Sequence, residues 1–227
     1  MRLLALLLAV VALAAAGCAG DDDDSGSADE ESPPAATTTA ADAPTPSVPL
    51  PATTTTPAPE QGKIYTRAEL PRLALQPSDA PSGMRYTRAE SGRKTLFEVG
   101  IALDTQTREL RRLGFRAVYD AIFDSTKSDL RLASRTWLFQ RSSGAEQWLE
   151  RTRGNSLAVA LEPLQAPRLA DASWAARGNV GGNDIISHAF QARNVVVLVT
   201  FSTQSLRLSE ADALAAAQKA VTRIRGA

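Results

Sequence analysis

The chain has 227 residues, 25 basic and 25 acidic side chains, one histidine and one cysteine, and 44% of it is hydrophobic. Single copies of cysteine and histidine exclude a disulfide framework and a zinc site of the usual Cys- and His-rich kind. The even charge balance hides an asymmetry that appears when the chain is taken in order.

Arg2 precedes fourteen apolar residues, Leu3–Ala16. A spanning helix needs about 20 apolar residues, so this run fits the apolar region of a signal peptide instead. Ala15-Ala16-Gly17-Cys18 resembles the lipobox of bacterial lipoprotein signal peptides, with Ala15 where leucine is usual. The resemblance implies recognition at Ala15, Ala16 and Gly17, cleavage before Cys18, and acyl chains on Cys18 that hold the protein to the outer face of the cell membrane. A lone exposed thiol suits an oxidising compartment poorly, which favours lipidation over an incidental cysteine. Two or more acyl chains anchor stably where one does not.

Residues 19–62 follow, with Asp21-Asp22-Asp23-Asp24, Asp29-Glu30-Glu31 and threonine–proline clusters, and without aromatic residues, lysine or arginine. Such a composition cannot bury enough apolar surface to offset the entropy of ordering, so a disordered tether is expected. Its 44 residues would reach about 35–40 Å on average. The threonine–proline clusters also suit O-glycosylation. The chain thus divides into a signal (1–17), a lipidated cysteine with tether (18–62) and one domain (63–227). Nine of the acidic residues lie in the tether and one arginine in the signal, so residues 63–227 carry 24 basic and 16 acidic side chains, a net charge of +8. A basic domain near an anionic bilayer is attracted to it over about one Debye length. Export sets nucleic acid aside as a partner.

Within residues 63–227, Thr66–Leu75 gives a short helix signal and Pro77–Gly83 a turn-rich link. Met84–Glu90 reads as a strand. Leu96, Val99, Gly100, Leu103, Leu110 and Leu113 recur at helical spacing, with Gly114 as the stop. Phe115, Ala117, Tyr119, Ala121 and Phe123 then alternate with Arg116, Asp120 and Asp124, as in a half-buried strand with a solvated acidic face. Leu130–Gln140 is a second strand after a five-residue loop. Ser142 or Ser143 can cap a helix with Ala145, Trp148 and Leu149 on its apolar face, ending at Gly154.

Leu157–Leu161 and Ser173–Arg177 read as short strands, the latter followed by the loop 178–182. Asp184–Ala192 and Val195–Thr203 form the strongest hairpin, turning at Arg193-Asn194. Val195–Val199 is apolar on both faces, as a central strand requires. Ser209-Glu210-Ala211-Asp212 opens a last helix with Leu214, Ala217, Val221 and Ile224 as its stripe. The fold class is α+β: an antiparallel sheet with helices packed on one face. The order strand, strand, helix occurs in both 115–154 and 184–226, as in a duplicated ββα unit.

Signal, lipobox, threonine–proline tether and compact α+β domain together resemble the surface lipoproteins of actinobacteria. Gln76-Pro77-Ser78-Asp79-Ala80-Pro81-Ser82-Gly83 and Arg177-Gly178-Asn179 before a hairpin are the local phrases that carry it. The element order is loosely similar to the extracellular sensor domains of mycobacterial serine/threonine kinases and to small α/β-sandwich lipoproteins. The resemblance implies ligand binding or partner contact at the cell envelope, and it transfers no functional residue.

The sequence lacks HExxH, GxSxG, a phosphate-binding glycine loop and CxxC. No catalytic residue, metal site or cofactor is expected. His188 shares a strand face with Ile186 and Phe190; it is either a core histidine or a pH-sensitive group beside a cavity. Arg108, Arg111, Arg112 and Arg116 gather at a helix end and the next strand, where cations favour the helix dipole; they are also a candidate contact patch for anionic lipid or polymer. Trp137, Trp148 and Trp174 read as core or cavity lining. The function expected is a non-catalytic module that binds an unknown envelope protein, polymer or lipid. The alternative is a carrier or sensor of a lipid or small molecule, marked by an apolar cavity of about 300 Å³ or more between sheet and helices.

Overall fold

Val195–Val199 cannot face water on either side, and the sheet is built around it. The computed structural model describes residues 63–101 and 103–227, so the signal, Ala15, Ala16, Gly17, Cys18 and the tether lie outside the described residues. The elements are α1 (Leu70–Leu73), β1 (Met84–Tyr86), β2 (Gly92–Lys94), α2 (Asp104–Arg112), β3 (Phe115–Ser125), β4 (Arg131–Phe139), α3 (Ser142–Ala158), β5 (Glu162–Pro163), β6 (Ala172–Val180), β7 (Asn183–Ala192), β8 (Val195–Thr203) and α4 (Glu210–Arg225). The eight strands form one sheet in the order β1-β3-β4-β8-β7-β6-β5, with β2 also paired to β3. Every pairing is antiparallel, and the fold is α+β as expected.

Alternation along β8 divides the core between the two faces. Val195, Val197, Val199 and Phe201 pack with Leu70 and Leu73 of α1 and with Ala213, Ala217, Ala220, Val221 and Ile224 of α4. Val196 joins Val118, Trp137 and Phe139 on the other face, under Leu110 of α2 and Trp148 and Leu149 of α3. Helices therefore cover both faces, where the sequence pointed to one. An apolar helix stripe shows that a face must be buried but does not say on which side of a sheet.

The same arrangement argues against a duplicated ββα unit. The order recurs as β3-β4-α3 and β7-β8-α4, and β4 pairs antiparallel with β8. A twofold that exchanges an antiparallel pair runs perpendicular to the sheet and returns each helix to the same face. Here α3 and α4 lie on opposite faces, so the repeat is one of element order alone.

Several elements depart from the sequence reading for local reasons. The helix expected over Leu96–Leu113 is two pieces. Glu98 accepts from the Thr95 amide (2.7 Å) and hydroxyl (2.8 Å), opening a turn that stops at Gly100, where φ is 82°; α2 starts afresh at Asp104. The Leu96 spacing serves that turn. In β3 the register shifts between Phe115 and Ala117, so Phe115 joins Trp137 and Phe139 on the opposite face from Ala117. The face expected to be solvated is buried too, with Val118 and Ile122 inside and Asp120 only 5% exposed.

Helix α3 does not end at Gly154 but runs to Ala158, because a helical glycine costs only about 1 kcal/mol relative to alanine and Thr152 and Ser156 lie buried on its inner side. Leu157–Leu161, expected as a strand, is the helix end and its exit, with Leu161 N–H bonded to the Ser156 carbonyl at 3.1 Å. β6 extends to Val180 and turns at Gly181-Gly182, both at positive φ. β1 stops at Tyr86, and α1 is a single turn. The β7–β8 hairpin turns at Arg193-Asn194 as expected.

The first described residues are fastened to the end of the chain. Asn194, fully buried, accepts from Tyr65 N–H (2.9 Å) and donates to the carbonyls of Tyr65 (2.9 Å) and Phe139 (2.8 Å). Tyr65 OH donates to the Ile224 carbonyl at 2.7 Å, and Lys63 Nζ donates to the Ala227 carbonyl.

Candidate functional site

On the α2/α3 face the helices leave part of the sheet uncovered, and a cavity of about 110 Å³ opens there. Its floor is Ala133, Arg135 and Trp137 of β4, Leu198 and Thr200 of β8, and Ile185 and Ser187 of β7. Its walls are Val99 and Ile101 before α2, Gln106 of α2, Trp148 and Thr152 of α3, and Val159 and Leu161 beyond it. Strand alternation explains this set, since every second residue of β4, β7 and β8 points the same way.

One polar group is built into this apolar wall. Arg135 is 6% exposed and Asp120 5%. The Arg135 Nε and Nη2 groups each donate to one Asp120 oxygen at 2.8 Å, and Nη1 donates to the Val99 carbonyl at 3.2 Å. The pair crosses from β4 to β3, whose residues Asp120 and Arg135 are direct partners. Such fork-to-fork geometry is the strong form of the guanidinium–carboxylate bond. The guanidinium also lies 5.8 Å from the Trp137 ring centre, within cation–π range. Beside it, Ser187 and Thr200 hydroxyls bond to each other at 3.0 Å.

Two tryptophans complete the inner wall. Trp137 and Trp148 are 3% and 4% exposed, with ring centres 5.1 Å apart. Neither indole N–H finds an acceptor among the described residues. Trp174 does, donating to the Leu149 carbonyl at 3.3 Å. A shallower groove of about 800 Å³ runs outside, between α2 and α3, bordered by Arg112, Leu113, Glu146 and Glu150. Glu109, Arg151 and Asn155 line both spaces. Glu109 and Arg151 form a 3.7 Å ion pair between the helices.

The arginine cluster and the histidine singled out from sequence lie outside this cavity. Arg108, Arg111, Arg112 and Arg116 are all exposed and form no ion pair among the described residues. Arg108 Nε caps back to the Asp104 carbonyl, and the Arg116 carbonyl accepts from Arg67. Only Arg112 borders the groove. His188 shares a face with Ile186 and Phe190, across the sheet from Ser187 and the cavity, and is 2% exposed. It borders a separate surface pocket under residues 163–169. Burial pushes its pKa below the ordinary value, against a weaker opposing effect of Glu210.

Sequence reasoning missed Arg135, Asp120 and the Glu109–Arg151 pair. The available signal was Arg135 itself, a charge inside a strand bounded by Leu132 and Leu138.

No family model matches the chain, and no match is found among curated proteins. Among solved structures it is similar to the extracellular domain of PknH from Mycobacterium tuberculosis, with a TM-score of 0.50 and 14% identity over 73% of this chain and 99% of that one. At that identity the likeness is one of fold. No helix among the described residues is long and apolar enough to cross a membrane.

Proposed function

We propose that the protein is a lipid-anchored cell-envelope component, fixed through Cys18 on the extracytoplasmic side, whose residues 63–227 act as a non-catalytic binding domain. The observation that carries the binding role is the apolar cavity with a built-in polar group between the sheet and α2/α3. The fold it shares with an extracellular domain supports the location.

The cavity volume supports one of the two readings offered by the sequence. Sites that enclose a whole small molecule measure about 300–1,000 Å³ and bury most of the ligand. At about 110 Å³ this cavity holds one apolar group, while the remainder of a larger ligand lies in the groove outside. That favours a module gripping an envelope polymer, lipid or protein by a single inserted group over a carrier that swallows its cargo.

Two experiments test the proposal. Cys18→Ser should move the protein from the membrane fraction to the soluble one; retention in the membrane would refute the anchor. Native mass spectrometry of the soluble Cys18→Ser protein, purified from a bacterial envelope, should show an added mass. Ala133→Phe, which fills the cavity floor, should abolish it. An added mass that survives Ala133→Phe would place binding outside the cavity.

A further inference from the structure

The end of the domain that residue 63 enters gathers charge that its neighbours do not match. Resting on the anchorage proposed above, we infer that this end is a second membrane contact: an arginine surface for anionic lipid headgroups, with Phe97 as an apolar wedge among them.

Hydrogen bonds and chain connectivity bring the surface together. Arg93 Nη2 donates to the Arg67 carbonyl at 3.0 Å, and Arg67 Nη2 donates to the Arg116 carbonyl at 2.7 Å. Arg111 and Arg112 close α2, and Arg116 follows Arg112 by four residues, a span of about 14 Å at most. All five arginines are exposed, and none has an ion-pair partner among the described residues. Bonds to carbonyls orient a guanidinium and leave its charge in place. Two nearby carboxylates are already engaged, Glu69 with Lys63 at 2.7 Å and Glu98 with Lys94 at 4.0 Å.

Exposed apolar side chains at the same end point to the kind of partner. β2 ends at the Lys94–Val118 pair, so the turn after it leaves the sheet at the Arg116 end of β3. Phe97 sits in that turn and is 79% exposed, the highest value for a large hydrophobic side chain among the described residues. Ile64, 49% exposed, borders a surface hollow with Arg67 and Arg116. A soluble polyanion would satisfy the arginines and leave both apolar side chains in water. A bilayer surface takes both kinds, because aromatic rings lodge at headgroup level while cations meet the phosphates. Lys63 precedes Ile64 directly, and the sequence before it leads back to Cys18, so a pull from an anchor there arrives at this end.

The test uses the mature chain, residues 18–227 with Cys18→Ser, which carries neither signal nor acyl chains, so its result does not depend on the anchor. It is sedimented with vesicles of phosphatidylcholine containing about one-third phosphatidylglycerol, which supply the anionic surface. The chain should bind these vesicles, ignore pure phosphatidylcholine, and come off when salt shortens the Debye length to about 3 Å. Arg111→Gln with Arg116→Gln should weaken binding about 25-fold, roughly fivefold for each arginine. Phe97→Ser should weaken it about three- to tenfold. Arg85→Gln with Arg207→Gln removes the same charge from the other end of the sheet, where Arg85 lies opposite Asp124 and Arg207 follows β8. That variant should lose less than about threefold, because its charges lie beyond a Debye length from the bilayer. The substituted side chains are all exposed, and melting midpoints show that each variant is folded. Equal losses in the two double variants would overturn the arginine surface and leave attraction by net charge alone. Unchanged binding by Phe97→Ser would overturn the wedge. Absence of binding to the anionic vesicles would overturn the membrane contact. Should binding then appear once the acidic residues at 21–24 and 29–31 are changed to their amides, the chain's own acidic segment is the occupant instead. Because this contact washes off in high salt, fractionating Cys18→Ser in high salt tests the anchor separately.

Discussion

Asp120→Leu should be among the most damaging single substitutions in the domain. It leaves the Arg135 guanidinium buried at 6% exposure, with its two 2.8 Å bonds gone and only the Val99 carbonyl as partner. Breaking a buried pair from one side costs about 3–5 kcal/mol, because the surviving charge is uncompensated. For a domain of this size each kcal/mol moves the melting midpoint by about 2–4 °C, so a fall of at least ~6 °C is expected. Adding Arg135→Met should restore most of the loss, to within about 1 kcal/mol of the parent, since replacing both partners with apolar groups is close to neutral. Guanidinium unfolding at constant m-value measures each variant and yields the coupling energy of the pair. An Asp120→Leu cost below about 1 kcal/mol, the range of exposed pairs, would refute the claim that this pair is buried and interdependent.

Asn194→Ala removes three hydrogen bonds and should cost about 3 kcal/mol, at roughly 1 kcal/mol each. Asn194→Asp should be worse, because it turns an oxygen toward the Tyr65 and Phe139 carbonyls; both are read as denaturation midpoints. Gly144→Ala would place a methyl carbon 2.0 Å from the Leu113 carbonyl oxygen, forcing α3 away from the end of α2; a loss of about 1–3 kcal/mol or more is expected from calorimetry. His188 has its pKa depressed by burial, so the folded state binds its proton less readily than the unfolded chain. Its contribution is therefore complete above about pH 6.5, the ordinary value, and is lost as pH falls below that. His188→Leu should flatten stability against pH in this window, and an unchanged slope would show that another group is responsible.

What could be read from the sequence was whatever depended on near neighbours. The β7–β8 hairpin was legible because both strands and their two-residue turn lie within twenty-one residues. The start of α4 was legible because Ser209 Oγ accepts from the Asp212 amide, three residues on. The outcome at Leu96–Leu113 turned on one local choice, the positive φ of Gly100, which the apolar spacing cannot register. The candidate site was legible only in part. Trp137 and Trp148 were recognisable as lining, but an acidic residue reads as exposed unless its partner is known. The partner of Asp120 lies fifteen residues away across a hairpin. Counting outward from the Asp124–Arg131 pair puts Asp120 opposite Arg135, so register, rather than periodicity, was the missing information. The side of the sheet taken by each helix had no local signal at all.

The fastening of Tyr65 to Asn194 also fixes a load path. Tension entering the domain through residue 62 meets a backbone bonded on both its amide and carbonyl to the turn of the central hairpin, and a Lys63 side chain clasped to the last carbonyl of the chain. Strain at that end is therefore borne by the middle of the sheet and by α4 together, so the domain resists peeling from its leading edge. The same clasp brings Lys63 and Ala227 to one corner, so a reporter fused after Ala227 would emerge beside Lys63.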